Sequence, residues 1–137
     1  MLGKKFISMK EENEHRQVCE YLKMQYPKVL FNTDLSGIRL TMGQAVKAKK
    51  LRSGNGFPDI VIYKAIFDKE SNNHYFGLFI EMKRKGEKIF KKDIITPKSE
   101  HIAEQIEMIE KLNNEGYYAT FCIGFDEAKK IIDWYLK

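Results

Sequence analysis

Asp59, Glu81 and Lys83 are the residues of this chain whose types and spacing could act on a single reacting group. Two carboxylates offer hard oxygens that can hold Mg²⁺ or Mn²⁺ at about 2.0–2.1 Å, and such an ion polarises a phosphate and acidifies its water. A lysine beside them can orient or deprotonate the attacking water and offset charge that develops on phosphorus. The chemistry is therefore phosphodiester hydrolysis, provided that the fold brings residues far apart in sequence to one place. The ordinary alternative is a cross-strand ion-pair set, which contributes a few tenths of a kcal/mol at many hairpins.

The elements that must position them are two strands. Asp59 to Phe67 is a β-branched and apolar run, Asp68 to His74 is polar and turn-like, and Tyr75 to Ile80 leads into Glu81-Met82-Lys83. A turn centred near Ser71 pairs residues whose numbers sum to about 142, which sets Asp59 opposite Lys83. Alternation places Glu81 and Lys83 on one face and turns Met82 to the other.

Around this hairpin, helical spacing runs from Glu11 to Tyr26, with Val18, Tyr21, Leu22 and Gln25 in a stripe that Pro27 stops; one turn before Val18 the stripe reaches Glu14. Val29 to Phe31 can be read as a short strand, with an Asn/Asp/Ser/Gly loop after it at Asn32 to Gly37. Thr41 and Gln44 form a capping box for a basic helix that runs through Arg52 to Ser53-Gly54. Thr96-Pro97 reads as the start of a helix with Ile102, Ile106, Ile109 and Leu112 on one face, Gln105 in that stripe and Gly116 closing it. Tyr117 to Ile123 is a strand, and Asp126 is the expected cap of a last helix with Ala128, Ile131, Ile132, Tyr135 and Leu136 on one face. Strand, helix and strand at this connection length predict a parallel crossover. The expected class is α/β, a mixed sheet flanked by helices in the order α-β-α-β-β-α-β-α.

At 137 residues, 43% of them apolar, one domain over 1–137 with one core is expected. The longest apolar runs fall far short of the roughly 20 residues of a membrane span, and Met1-Leu2-Gly3-Lys4-Lys5 begins no signal peptide, so a soluble, cytoplasmic protein is expected. Cys19 and Cys122 lack metal-site spacing and are expected to be small core residues, and His15, His74 and His101 have no ligand spacing. The net charge of +5 says less than its distribution. Arg39, Lys47, Lys49, Lys50 and Arg52 give +5 between Leu35 and Phe57 with no acid among them. Between Met82 and Lys98 seven bases, including Arg84, Lys85 and Lys88, meet two acids, 7 − 2 = +5 again. Next to a phosphodiester-cleaving site these bases are candidates for neutralising DNA phosphates.

Pro58-Asp59, a hairpin and Glu81-Met82-Lys83 resemble the PD-(D/E)xK nuclease motif, and the element order resembles that superfamily's restriction-endonuclease-like core. More specifically, the chain resembles the VRR-NUC family of virus-type replication and repair nucleases. Glu14-His15-Arg16-Gln17 is similar to that family's first-helix glutamate and glutamine, Gly56-Phe57-Pro58-Asp59 to its Gly-x-Pro-Asp element, and Gln105 to the glutamine on the helix after the motif. Gly116, the strand after it and Asp126-Glu127-Ala128 are similar to the C-terminal part. The long basic connection from Arg84 to Lys98 departs from the pattern and bears on substrate preference.

The resemblance implies a divalent metal, Mg²⁺ or Mn²⁺, held by Glu14, Asp59, Glu81 and the Met82 carbonyl, with Lys83 catalytic and Gln105 orienting a ligand or the water. It also implies a homodimer that cleaves branched DNA such as four-way junctions, and its virus-type relatives admit a phage source. The alternatives are a sequence-specific endonuclease of restriction type and a non-catalytic DNA-binding module of the same fold.

Overall fold

Apolar side chains at Ile60 and Ile62 and at Leu78, Ile80 and Met82 alternate with Val61, Phe79 and Glu81, and this period of two sends the first set to one face of a sheet and the second to the other. The computed structural model describes residues 2–33 and 40–137, with side chains from residue 13 onward. Its elements are α1 (Leu2–Gln25), β1 (Phe31–Thr33), α2 (Met42–Lys50), β2 (Ile60–Ile62), β3 (Ile66–Asp68), β4 (Asn73–Tyr75), β5 (Leu78–Lys83), α3 (Glu100–Asn114), β6 (Tyr118–Ile123) and α4 (Gly124–Leu136). The main sheet runs β1-β2-β5-β6, and β3 and β4 form a separate two-stranded sheet. β1 to β2 and β2 to β5 are antiparallel, whereas β5 to β6 is parallel, as the strand-helix-strand order predicts.

One face of this mixed sheet packs under α1 and α4, where Val18, Leu22, Ile60, Ile62, Leu78, Ile80, Met82, Cys122, Ala128 and Ile132 are almost completely buried. Each such Leu or Ile stabilises the fold by roughly 1.5–3 kcal/mol. Cys122 behaves as the expected small core residue, and burial pushes its thiol up to about 12. The other face packs under α3, where Met108, Ile109, Leu112 and Ala119 form a second cluster with Phe79 and Phe121 at its margin. Among the described residues, no helix is long and apolar enough to cross a membrane.

The structure corrects several boundaries. β2 pairs with β5 as Ile60 to Ile80 and Ile62 to Leu78, a sum of 140 and not 142, so one further step sets Asp59 level with Glu81 and not with Lys83. The single long hairpin is interrupted because β3 and β4 pair in a register of 141, Phe67 to His74, which is incompatible with 140 in one continuous ladder. α1 begins well before Glu11, and Gln25 is exposed. α2 has its capping box but ends at Lys50, and none of its residues is buried. α3 begins at Glu100 with Ser99 as its N-cap, because Pro97 is engaged in a bridge with Phe90. α4 begins at Gly124, two residues before Asp126, and the Glu127 carboxylate accepts from the Ile123 amide at its start.

α1 and α4 are locked by Asp133, whose Oδ1 accepts from Tyr21 Oη at 2.5 Å and Tyr26 Oη at 2.7 Å, and whose Oδ2 accepts from Lys129 Nζ at 2.9 Å. Burial works to raise this carboxyl's pKa, but the three donors outweigh it and hold the group well below the usual carboxylate range. A depressed folded pKa gives stability that is present above the unfolded value near 4 and lost as pH falls through the folded one. Asp133→Asn should therefore lower neutral-pH stability by about 2 kcal/mol and flatten the acid limb of a plot of Tm against pH. An Asp133→Asn curve parallel to wild type throughout would refute this account.

Candidate active site

Where β2 and β5 end side by side, Asp59, Glu81 and Lys83 are 8%, 4% and 6% exposed, far below what such side chains show when they merely decorate a surface. Asp59 is fixed by the strand next to it, its Oδ2 accepting from the Met82 amide at 2.8 Å. Glu81 projects toward α3, where its Oε1 accepts from Gln105 Nε2 at 2.6 Å. Lys83 Nζ lies 3.7 Å from that same Oε1, 3.6 Å from Glu87 Oε2 and 6.0 Å from the centre of the Phe121 ring. The sequence-predicted group thus comes together, with Gln105, itself 4% exposed, as its fourth member.

Two participants went unseen in the sequence. Glu87 returns over Lys83 because the chain turns at Gly86, which has φ 91°, and the Glu87 amide donates to the Arg84 carbonyl at 3.0 Å. No periodicity announces such a turn. His101 places Nε2 3.3 Å from Gln105 Nε2, and that proximity was legible, since residues four apart share a helix face.

The Gly-x-Pro-Asp loop is seated directly on α3. A Cβ at Gly56 would lie 2.8 Å from the Glu104 carbonyl carbon and oxygen and 2.9 Å from the Gln105 amide nitrogen, and its φ of +80° favours glycine as well. The glycine is what lets the strand bearing Asp59 approach the helix bearing Gln105. Gly56→Ala should cost about 1–3 kcal/mol and move α3 away from Glu81. A melting curve and the Gln105 side-chain amide resonance would check it, and unchanged values in both would contradict the close approach.

The buried group carries two carboxylates, Asp59 and Glu81, against one ammonium, Lys83, a formal 1 − 2 = −1, with the half-buried Glu87 at its edge between Lys83 and Arg84. Gln105 Oε1 is buried without a hydrogen-bond partner. Hard oxygens with surplus negative charge, beside an amide oxygen that a water could donate to, suit a hydrated divalent cation. Glu14 does not complete a cluster with them: its Oε2 accepts from the Lys85 amide at 3.2 Å and its Oε1 lies near Gly124. Among the described residues, no three His, Cys, Asp or Glu side chains are grouped closely enough to hold a metal ion by themselves.

Beside Pro58 lies a cleft of about 610 Å³, lined among others by Arg52, Ser53, Phe57, Val61 and Phe79. Lys47, Lys49 and Lys50 are exposed on α2, just before this wall, and Lys85 and Lys88 are exposed beyond β5, while Arg84 is half-buried with Nε 3.8 Å from Glu87. Arg39 lies outside the described residues, as do the side chains of Glu11 and Glu12.

No protein-family model matches the chain, and no curated protein does. Among solved structures, one described as a VRR_NUC domain protein matches at 26% identity and a TM-score of 0.65, over 93% of this chain and 88% of that one. The likeness bears out the family read from the motifs and the mixed α/β architecture expected of it.

Proposed function

We propose, for a chain that its motifs and its fold place in the VRR-NUC family, that it is a divalent-metal-dependent DNA endonuclease. The observation that carries this reading is the burial of Asp59, Glu81 and Lys83 together at the paired ends of β2 and β5. The likeness to a VRR_NUC domain protein supports a nuclease-type, DNA-acting domain as the general class. Asp59, Glu81 and the Met82 carbonyl would hold Mg²⁺ or Mn²⁺, which when bound supplies Lewis-acid polarisation of the phosphate and an acidified water.

The chain's own residues do the rest. Lys83, flanked by Glu81 and Glu87, is placed to hold the attacking water and to meet negative charge as it develops. Gln105 fixes Glu81 Oε1 through its amide nitrogen and leaves its oxygen to accept from the water. Glu14 steadies the chain just after β5 through the Lys85 amide, a positioning task. Exposed Lys47, Lys49, Lys50, Lys85 and Lys88 supply the sequence-independent attraction for the phosphate backbone.

Branched DNA, such as a four-way junction, is the proposed substrate, cut by a homodimer whose two-fold axis would present one site to each of two strands. The test is cleavage of labelled junction, flap, single-stranded and linear DNA with Mg²⁺ or Mn²⁺. Junction DNA should be cut fastest, and cleavage should stop with a chelator. Failure to cut any of these DNAs under either ion would overturn the reading.

A further inference from the structure

Between Glu87 and the N-cap of α3 the chain forms a short arm, paired from Ile89 to Lys98, that the proposed cleavage step does not use. Phe90 pairs with Pro97 in an antiparallel bridge, the Lys91 amide donates to the Thr96 carbonyl at 2.8 Å, and the Lys98 amide donates to the Ile89 carbonyl at 2.9 Å. Its tip is tied as firmly. The Ile94 amide donates to the Lys91 carbonyl at 2.9 Å, while Asp93 Oδ1 accepts from the amides of Ile95 at 3.1 Å and Thr96 at 2.9 Å.

What this turn displays is two isoleucines, Ile94 at 76% and Ile95 at 83% exposure. Ile94 sits at φ 66°, a left-handed conformation that is a genuine outlier for a β-branched residue. A turn built simply to reverse the chain would use Asn or Gly there and would keep such side chains out of water. Both the strain and the exposure are therefore costs with no local return within the folded chain. Lys88, Lys91, Lys92 and Lys98 are all exposed along the same arm, so a partner must offer negative charge outside and apolar surface within reach of the tip. Duplex DNA has that layout, with phosphates at its surface and stacked bases inside, and apolar wedges are known to enter such stacks. The arm follows β5 and its Lys83 in the chain and leads into the helix that carries Gln105, so short connections join it to the site at both ends.

We propose that Ile94 and Ile95 form a wedge that enters the base stack of DNA while the lysines of the arm hold the flanking phosphates. The DNA at the site is thereby locally unstacked, and the substrate class is duplex that opens easily, as at a branch point. The cleavage consequence rests on the nuclease reading; the unstacking does not.

The experiment uses a short duplex carrying an adenine analogue whose fluorescence rises when it unstacks, mixed with the full chain in a chelator so that no strand is cut. Wild-type protein should raise the fluorescence several-fold. The exposed double variant Ile94→Ser, Ile95→Ser should bind at low salt within about threefold of wild type, because the lysines remain, yet lose the rise. With metal present, the same variant should cut paired junction DNA about tenfold more slowly than wild type and cut a pre-opened bubble at the wild-type rate, since unstacking is then already done. No fluorescence change with bound wild-type protein overturns the wedge and leaves the nuclease untouched. A rise without any cleavage under either ion sustains the wedge and removes the nuclease. Preferential binding of the arm to anionic vesicles over DNA, abolished in the double variant, would also overturn it.

Discussion

Asp59→Asn should keep the fold and lose on the order of 10³-fold in cleavage rate, because the substitution removes a charge and almost no shape. The asparagine oxygen can still accept from the Met82 amide, which Asp59 Oδ2 does at 2.8 Å, so the strand end stays in place. What disappears is one of the anionic oxygens that would hold the cation. In the absence of metal the variant should be as stable as wild type or slightly more so, since a buried carboxylate close to Glu81 has been neutralised. The metal response separates the roles. At an Mg²⁺ or Mn²⁺ concentration about 100 times its dissociation constant, linkage should stabilise wild type by about 2.7 kcal/mol, seen as a rise in Tm, and the asparagine variant should show almost none of it. Equal cleavage by both proteins would exclude Asp59 from the reaction.

Lys83→Met should damage both activity and stability, and the two losses have different causes. The methionine has a similar reach and fills the space against Phe121, but Glu81, 4% exposed, loses the ammonium 3.7 Å away and keeps the Gln105 amide at 2.6 Å. A stability loss of about 1–3 kcal/mol follows from weakening a buried charge's compensation without abolishing it. The cleavage rate should fall by about 10²–10³-fold at saturating metal, with DNA affinity nearly unchanged, because the interaction is made in the transition state. Lys83→Arg should not restore the rate, since a planar guanidinium does not fit a site 6% exposed in the way a point charge does. Single-turnover cleavage together with denaturant melts distinguishes the two losses. A Lys83→Met protein that cuts at the wild-type rate would show that the lysine serves packing alone.

Much of this site was legible in the amino-acid sequence, for identifiable reasons. Glu81 and Lys83 share a face because the side-chain period of a strand is two. Gln105 falls in the buried stripe of α3 because the helical period carries it there with Ile102, Ile109 and Leu112. The capping box of Thr41 and Gln44 and the parallel pairing of β5 with β6 followed from local chemistry and from connection length. His101 could have been added by the same spacing argument.

Register was not legible, because a polar turn fixes pairing only when its geometry is known. The break between β2 and β3 changed the sum from 142 to 140 and moved Asp59 from the level of Lys83 to that of Glu81. The start of α3 was misplaced because Pro97 suits a first helical turn and a bridge equally well, and the choice depended on Phe90. Glu87 reaches Lys83 through a turn at Gly86 that no periodic pattern encodes. Glu14 stands at the expected place on α1, yet its carboxylate is engaged by the Lys85 amide, a contact between residues far apart in the chain. The sequence by itself thus determined which residues are candidates for the chemistry and which face of each element they occupy, since both follow from residue type and local period. The tertiary structure alone decided which of them meet, because register, loop closure and the seat of Gly56 on α3 are set by contacts between distant segments.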